Sequence, residues 1–296
     1  MKNPFKVGET YRNNLGEYEV VSINEPNMTI KMEDGRTIET TVKLQARIWK
    51  RIKWEQRHKK QVKQAKRKGR RRKSKFKGLR DQDFQSGVKG TSWRARTALG
   101  GLMADRLSEK TPYDFQSYAV YGRPESHVVI PDCYDKSDRW KHAKFELDLN
   151  AERARYGFYV ERKPGTAQRW DWSRLVEALG SDEELQEDVE ETMRQMNLQW
   201  ELYAGEDGER LVGRAAVAED EGLMWDDADG EATPLTWAAF AEMLQTLDAE
   251  TWYHLYLVDR MGKEETIEQA RRIAELTTDI YRMLLPLYEA ATRCNA

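Results

Sequence analysis

Glu161-Arg162-Lys163 puts an acid and an amine two positions apart within a strand pattern over residues 156–163. Residues i and i+2 share one face of a strand, so Glu161 and Lys163 point together, with Tyr159 beside them. Glu146 and Asp148 repeat the arrangement in the preceding pattern, 143–149, where Phe145, Leu147 and Leu149 make the apolar face. In a hairpin such groups form cross-strand charge pairs, their ordinary use in a chain rich in charge. Other reactive side chains are dispersed. His127, His142 and His254 do not cluster, and the two cysteines, Cys133 and Cys294, lie far apart. A structural zinc site wants clustered nitrogen and sulfur ligands, which this pattern lacks. Cys133 has His127 and His142 as sequence neighbours, but nothing there indicates the lowered thiol pKa that a nucleophile needs. Two cysteines give no disulfide framework, which fits a reducing, cytoplasmic setting.

The strongest signal is electrostatic. Residues 43–80 hold 19 Lys and Arg against one acid, Glu55. That segment charge of +18, in a chain of net charge −2, leaves −20 for everything else. Blocks of like charge repel themselves and act as interaction arms. A polyanion is the matching partner, because each neutralised phosphate releases condensed counterions. The expected phosphate contacts are Lys50, Arg51, Lys53, Arg57, Lys59, Lys60, Lys63, Lys66, Arg67, Lys68, Arg70, Arg71, Arg72 and Lys73. Point charges of this kind read backbone rather than base, so binding is largely sequence-nonspecific, with DNA slightly favoured over RNA. Tyr134, Trp140 and Trp170 sit in polar surroundings and are the aromatics best placed to stack on unpaired bases.

The elements that must carry these residues divide the chain in three. Over 1–43, short alternating runs separated by turn signals, with Asp34-Gly35 as a hairpin signal, look like a small SH3-like or Tudor-like β-barrel. Such barrels serve as adaptors on nucleic acid and peptides, which gives a protein partner as a further expectation. Residues 44–80 form a basic helix and linker, with Leu44, Ile48 and Ile52 at helical spacing. Residues 81–296 form a larger mixed α+β domain. It has a helix over 93–107 with an unusual Gly100-Gly101 pair, which a close approach by another element would explain. Strands follow, then a helix stopping at Gly180, a helix over 185–196 opened by a Ser181-Asp182-Glu183-Glu184 capping box, a strand near 198–203, and a long closing helix over 263–294 kinked at Pro286. Nothing approaches the roughly 18 apolar residues of a membrane span, and the N-terminus lacks the apolar region of a secretory signal. The fold class is α+β overall.

The helix–strands–helices–strand order over 93–203, with Glu161-x-Lys163 and an upstream Pro131-Asp132, resembles the PD-(D/E)XK nuclease core. The resemblance implies a Mg²⁺-dependent endonuclease. Asp148, Glu161 and Lys163 would be catalytic, with Asp132, Asp148 and Glu161 as metal ligands. Asp132 stands 29 positions before Glu161 and Asp148 stands 13 before it, so Asp148 better fits the acid that the family carries on the adjoining strand. Three functions therefore stand: nucleic-acid binding through the arm, a Mg²⁺-dependent nuclease, and an adaptor subunit of a larger nucleoprotein complex.

Overall fold

The computed structural model describes residues 3–13, 16–33, 35–46, 48–49, 76–85, 91–119, 125–165, 170–218, 222–227, 230 and 232–292. The fourteen expected phosphate contacts, from Lys50 to Lys73, lie outside the described residues. Helix and antiparallel sheet occur together, and no helix among the described residues is long and apolar enough to cross a membrane. The chain divides into two compact units, 1–71 and 72–296.

The first unit is a four-stranded antiparallel sheet in the order β1-β2-β3-β4. Its strands are Thr10–Asn13, Gly16–Asn24, Asn27–Met32 and Thr37–Thr41. Alternation sends Tyr18, Val20, Met28, Ile30 and Met32 to one buried face. The Asp-Gly turn signal joins β3 to β4, with Gly35 at φ +86°. Residues 42–46 turn helical, and Ala46 and Trp49 pack on the buried face with Phe5 and Tyr11. Among the described residues β1 and β4 do not pair, so the sheet is open where a closed barrel was expected.

Among the described residues, the second unit has β5 (Gln116–Ala119), β11 (Gly222–Asp227) and β12 (Ala232–Pro234) joined with six further strands in a nine-stranded antiparallel sheet ordered β12-β11-β10-β9-β13-β8-β7-β6-β5. The strands that matter for the site are β6 (Glu125–Val129), β7 (Lys144–Leu149), β8 (Arg153–Arg162), β9 (Gln199–Ala204), β10 (Arg210–Ala218) and β13 (Tyr253–Gly262). Among the described residues seven α-helices accompany it: α1 (Thr91–Lys110), α2 (Asp171–Ser181), α3 (Glu183–Met196), α4 (Trp237–Thr246), α5 (Lys263–Glu268), α6 (Ile273–Met283) and α7 (Leu285–Thr292). The expected stripe of Leu99, Leu102, Met103 and Leu107 on α1 is buried, as is the Phe145, Leu147, Leu149 face of β7. Tyr281 of α6 and Tyr288 of α7 stack on Phe145 with centroids 4.8 and 4.9 Å away. Helices and apolar strand faces thus share one core. Phe76 and Leu79 join it too, so the last part of the 44–80 segment belongs to this folded body.

Local departures from the expected elements have identifiable causes. Helix α2 runs through Gly180 to Ser181, and Asp182 then ends α2 and caps α3 by accepting from the Leu185 N–H at 3.1 Å. The closing helix is broken into three. Ala270 takes φ +47° between α5 and α6, and Pro286 sits at the start of α7. Proline has no N–H to donate and clashes with the carbonyl four residues back, so the chain ends one helix and starts another instead of kinking. Gly100 meets the expected close approach: a Cβ there would lie 2.2 Å from Ser117 Oγ, whereas one on Gly101 would meet nothing within 4 Å.

Candidate functional site

The sheet has a second face, and it is polar. Register fixes its members. Across β6, β7, β8, β13 and β9, His127 opposes Glu146, Glu146 opposes Gly157, and Glu125 opposes Asp148. Lys144 opposes Tyr159, Tyr159 opposes Tyr256, and Tyr256 opposes Glu201. These charged groups are not solvated, contrary to the wet face that alternation alone implies. Lys144 and Glu201 are fully buried, and His127 and Glu146 are each 3% exposed.

Buried charge has to be paired or neutralised. Lys144 Nζ donates to Glu161 Oε1 at 2.7 Å and to the Arg139 carbonyl at 3.0 Å, and lies 4.5 Å from the Tyr159 ring centre. Trp252 Nε1 donates to the other Glu161 oxygen at 3.1 Å. Burial pushes the Glu161 pKa up, but the Lys144 ammonium outweighs it and holds the carboxyl below its ordinary value. Glu201 faces three guanidiniums: Arg155 at 3.8 Å, Arg214 at 3.8 Å, and Arg260 in direct contact. Burial, with Arg153 and Arg155 nearby, pushes Arg260 down to about 10. Tyr159 Oη donates to His254 Nδ1 at 2.7 Å, and His254 Nε2 donates to the Gly205 carbonyl at 2.9 Å.

In a third group, two buried atoms lack a hydrogen-bond partner. Glu125, His127 and Glu146 each offer a ligand atom, all within 4.8 Å of one another. His127 Nε2 lies 3.5 Å from Glu125 Oε2 and 3.7 Å from Glu146 Oε2. His127 Nε2 and Glu146 Oε2 are buried without a hydrogen-bond partner. Burial, with the Glu125 charge behind it, pushes Glu146 well above the ordinary carboxylate range, and burial pushes His127 down. Glu125 and His127 also line a cavity of about 90 Å³, walled by Arg139, Trp140, Tyr159 and Trp252.

The residues expected to form a nuclease centre do not meet at one point. Asp148 opposes Arg155 in the β7–β8 register and pairs with it at 3.5 Å. Glu161 lies six residues further along β8, roughly 20 Å at the rise of a strand. Glu161 is bound to Lys144 instead of presenting a free carboxylate. Lys163 Nζ sits by the rings of Trp140 and Trp252, 5.4 and 5.1 Å from their centres. Asp132 is exposed on a 3-10 turn, Pro131–Cys133, lining a separate hollow with Tyr134 and His142. Cys133 is disulfide-bonded, so it is no free thiol nucleophile, and the expected lack of a disulfide framework is corrected to that extent. Of the stacking aromatics, Tyr134 is buried against Tyr118, while Trp140 and Trp170 meet edge to face at 4.4 Å under Lys141.

Sequence reasoning missed Glu125, His127, Lys144, Glu201 and the arginines. Alternation does carry a trace of them, since Glu125 and His127 occupy every second position of β6 as Glu146 and Asp148 do of β7. Which strand lies beside which is not written in either run. Comparison with protein-family models, with curated proteins and with solved structures finds no match for this chain.

Proposed function

We propose that this protein binds nucleic acid through the basic segment 43–80, largely without regard to sequence. One observation carries the reading: 19 Lys and Arg against one acid in that segment, in a chain that is −20 elsewhere. Charge so separated in a nearly neutral protein matches a polyanion and steers its approach. The N-terminal antiparallel sheet is the adaptor surface of this reading, where a protein partner would dock. Fluorescence anisotropy with duplex DNA, single-stranded DNA and RNA tests it. Binding should be readily measured at 50 mM salt and fall steeply by 200 mM, as phosphate contacts demand. No binding to any of the three at 50 mM salt would end the proposal.

A second reading, a metal-dependent nuclease, is favoured by one feature of the polar face. A carboxylate–histidine group and a row of arginines share it, and cations beside metal ligands suit the charge of a phosphodiester in hydrolysis. Plasmid cleavage with Mg²⁺ or Mn²⁺, abolished in Glu146→Gln while anisotropy stays unchanged, supports it. An intact plasmid under both metals removes it.

A further inference from the structure

We propose that Glu125, His127 and Glu146 form a binding site for a divalent first-row transition-metal ion, at the β6–β7 pair on the polar face of the sheet. The site is independent of the basic arm, and it deepens the second, nuclease reading by naming the metal that reading would use; metal binding without cleavage would sink that reading and leave this one standing.

The argument rests on which atoms are already engaged. His127 Nδ1 lies 3.4 Å from Tyr134 Oη, which leaves Nε2 as the outward nitrogen. Glu146 Oε1 lies 3.6 Å from the Arg155 guanidinium, which leaves Oε2. The two remaining atoms are buried, without hydrogen-bond partners, and 3.7 Å apart. The third ligand atom, Glu125 Oε2, lies 3.5 Å from the same Nε2. A neutral imidazole nitrogen and two carboxylate oxygens turned on one another present lone pairs to lone pairs. Either a proton or a metal cation has to lie between His127 Nε2 and Glu146 Oε2.

The separations say what. A direct hydrogen bond would close these gaps to about 3.2 Å or less. A bridging water with arms of about 2.8 Å at tetrahedral angles would hold them near 4.6 Å apart. A metal with bonds of about 2.1 Å sets neighbouring ligand atoms about 3.0 to 3.4 Å apart. The two separations from His127 Nε2, 3.5 and 3.7 Å, lie closest to the metal geometry, and all three ligand atoms fall within 4.8 Å of one another.

The chemistry narrows the ion. Two carboxylates balance a divalent charge, and the imidazole selects manganese, iron, cobalt or zinc over magnesium and calcium, which prefer all-oxygen shells. Tyr134 and Arg155 are the outer partners that orient the ligating histidine and carboxylate. Three protein ligands leave coordination positions open, as in catalytic rather than structural sites. Glu125 and His127 also line the cavity with Trp140, Tyr159 and Trp252, from which water would complete the shell.

The test uses the full-length, untagged chain, stripped with chelator and titrated with Mn²⁺ and Zn²⁺ by calorimetry, with bound metal counted by elemental analysis. One equivalent per chain is expected, with the melting temperature rising by about 5 °C or more at saturating metal. Glu146→Gln and His127→Asn should each weaken binding about 100-fold or more, since losing an outer partner alone costs 10- to 100-fold. Glu146→Gln keeps the shape of the side chain and is uncharged like the acid form that burial favours, so its metal-free melting temperature should stay near wild type. That result separates lost binding from lost folding. No stoichiometric metal, or a temperature rise that persists in both variants, overturns the site.

Discussion

At the scale of single residues, two neighbouring glycines with the same sequence signal have opposite structural meanings. Ser117 Oγ and the Cβ atoms of Ser117 and Ser126 crowd the Gly100 position, and open space surrounds Gly101. Gly100→Ala should therefore cost about 1–3 kcal/mol through overpacking. Gly101→Ala should gain up to about 1 kcal/mol from helix propensity. Urea denaturation of the two variants checks the contrast, and pairing Gly100→Ala with Ser117→Ala should recover part of the loss. The Lys144–Glu161 pair gives a second residue-scale expectation. Lys144→Met leaves a carboxylate in a dry site and should cost about 3–5 kcal/mol, whereas adding Glu161→Leu should restore most of it. Acid has a definite sign here. Lys144, His254, His127 and the Trp252 N–H face Glu161, and its folded pKa lies below the ordinary value of about 4.5. Its contribution is full above that value and is lost as pH falls through the folded pKa. The stability gap between wild type and Glu161→Gln, measured by urea melts at pH 7 and near pH 3, should narrow in acid.

At the scale of elements, what was legible in the sequence is what a single run encodes. The apolar stripe of α1, the alternation of β7 and the turn at Gly35 after β3 are local patterns, and they stand where periodicity and turn chemistry put them; the cap of α3 falls one residue later than the Ser181 box, on Asp182, because α2 runs on to Ser181. Pairing is not local. The β7 alternation gives a charged face but not its neighbours, so nothing in Lys144 or Glu146 alone indicates burial under Tyr159, Tyr256 and Arg155. The candidate site shares this limit. Glu125 and His127 become ligands only because β6 lies beside β7, while Asp148 and Glu161 are kept apart by a hairpin register that spacing along the chain leaves unstated. The closing helix failed to read as three because one of its breaks is tertiary. Gly78, at φ +135°, passes so close to the Ala270 turn that a Cβ would lie 3.0 Å from Ala270 Cα. Gly78→Ala should cost more than about 1 kcal/mol, from backbone strain and contact together, and thermal melting measures it.

At the scale of the molecule, charge is partitioned rather than balanced, and the partition makes a quantitative statement about salt. A near-zero net charge would predict weak, salt-insensitive contact with a polyanion if the whole surface took part. A local grip by the arm predicts the reverse, because the affinity then depends on how many phosphates the arm neutralises and hardly on the net charge of −2. Each phosphate contact contributes about 0.9 to the slope of log K against log salt on duplex DNA, and about 0.7 on single strands. Replacing Arg70, Arg71, Arg72 and Lys73 by Gln in the full chain removes four of the fourteen expected contacts. The slope on duplex DNA should then become shallower by up to about 3.6, and affinity should fall more at 50 mM than at 200 mM salt. The loss should be equal across unrelated duplex sequences, since backbone contacts carry no base information. A slope unchanged by the four substitutions would place the grip outside these residues, and a loss confined to one sequence would mean that the arm reads bases.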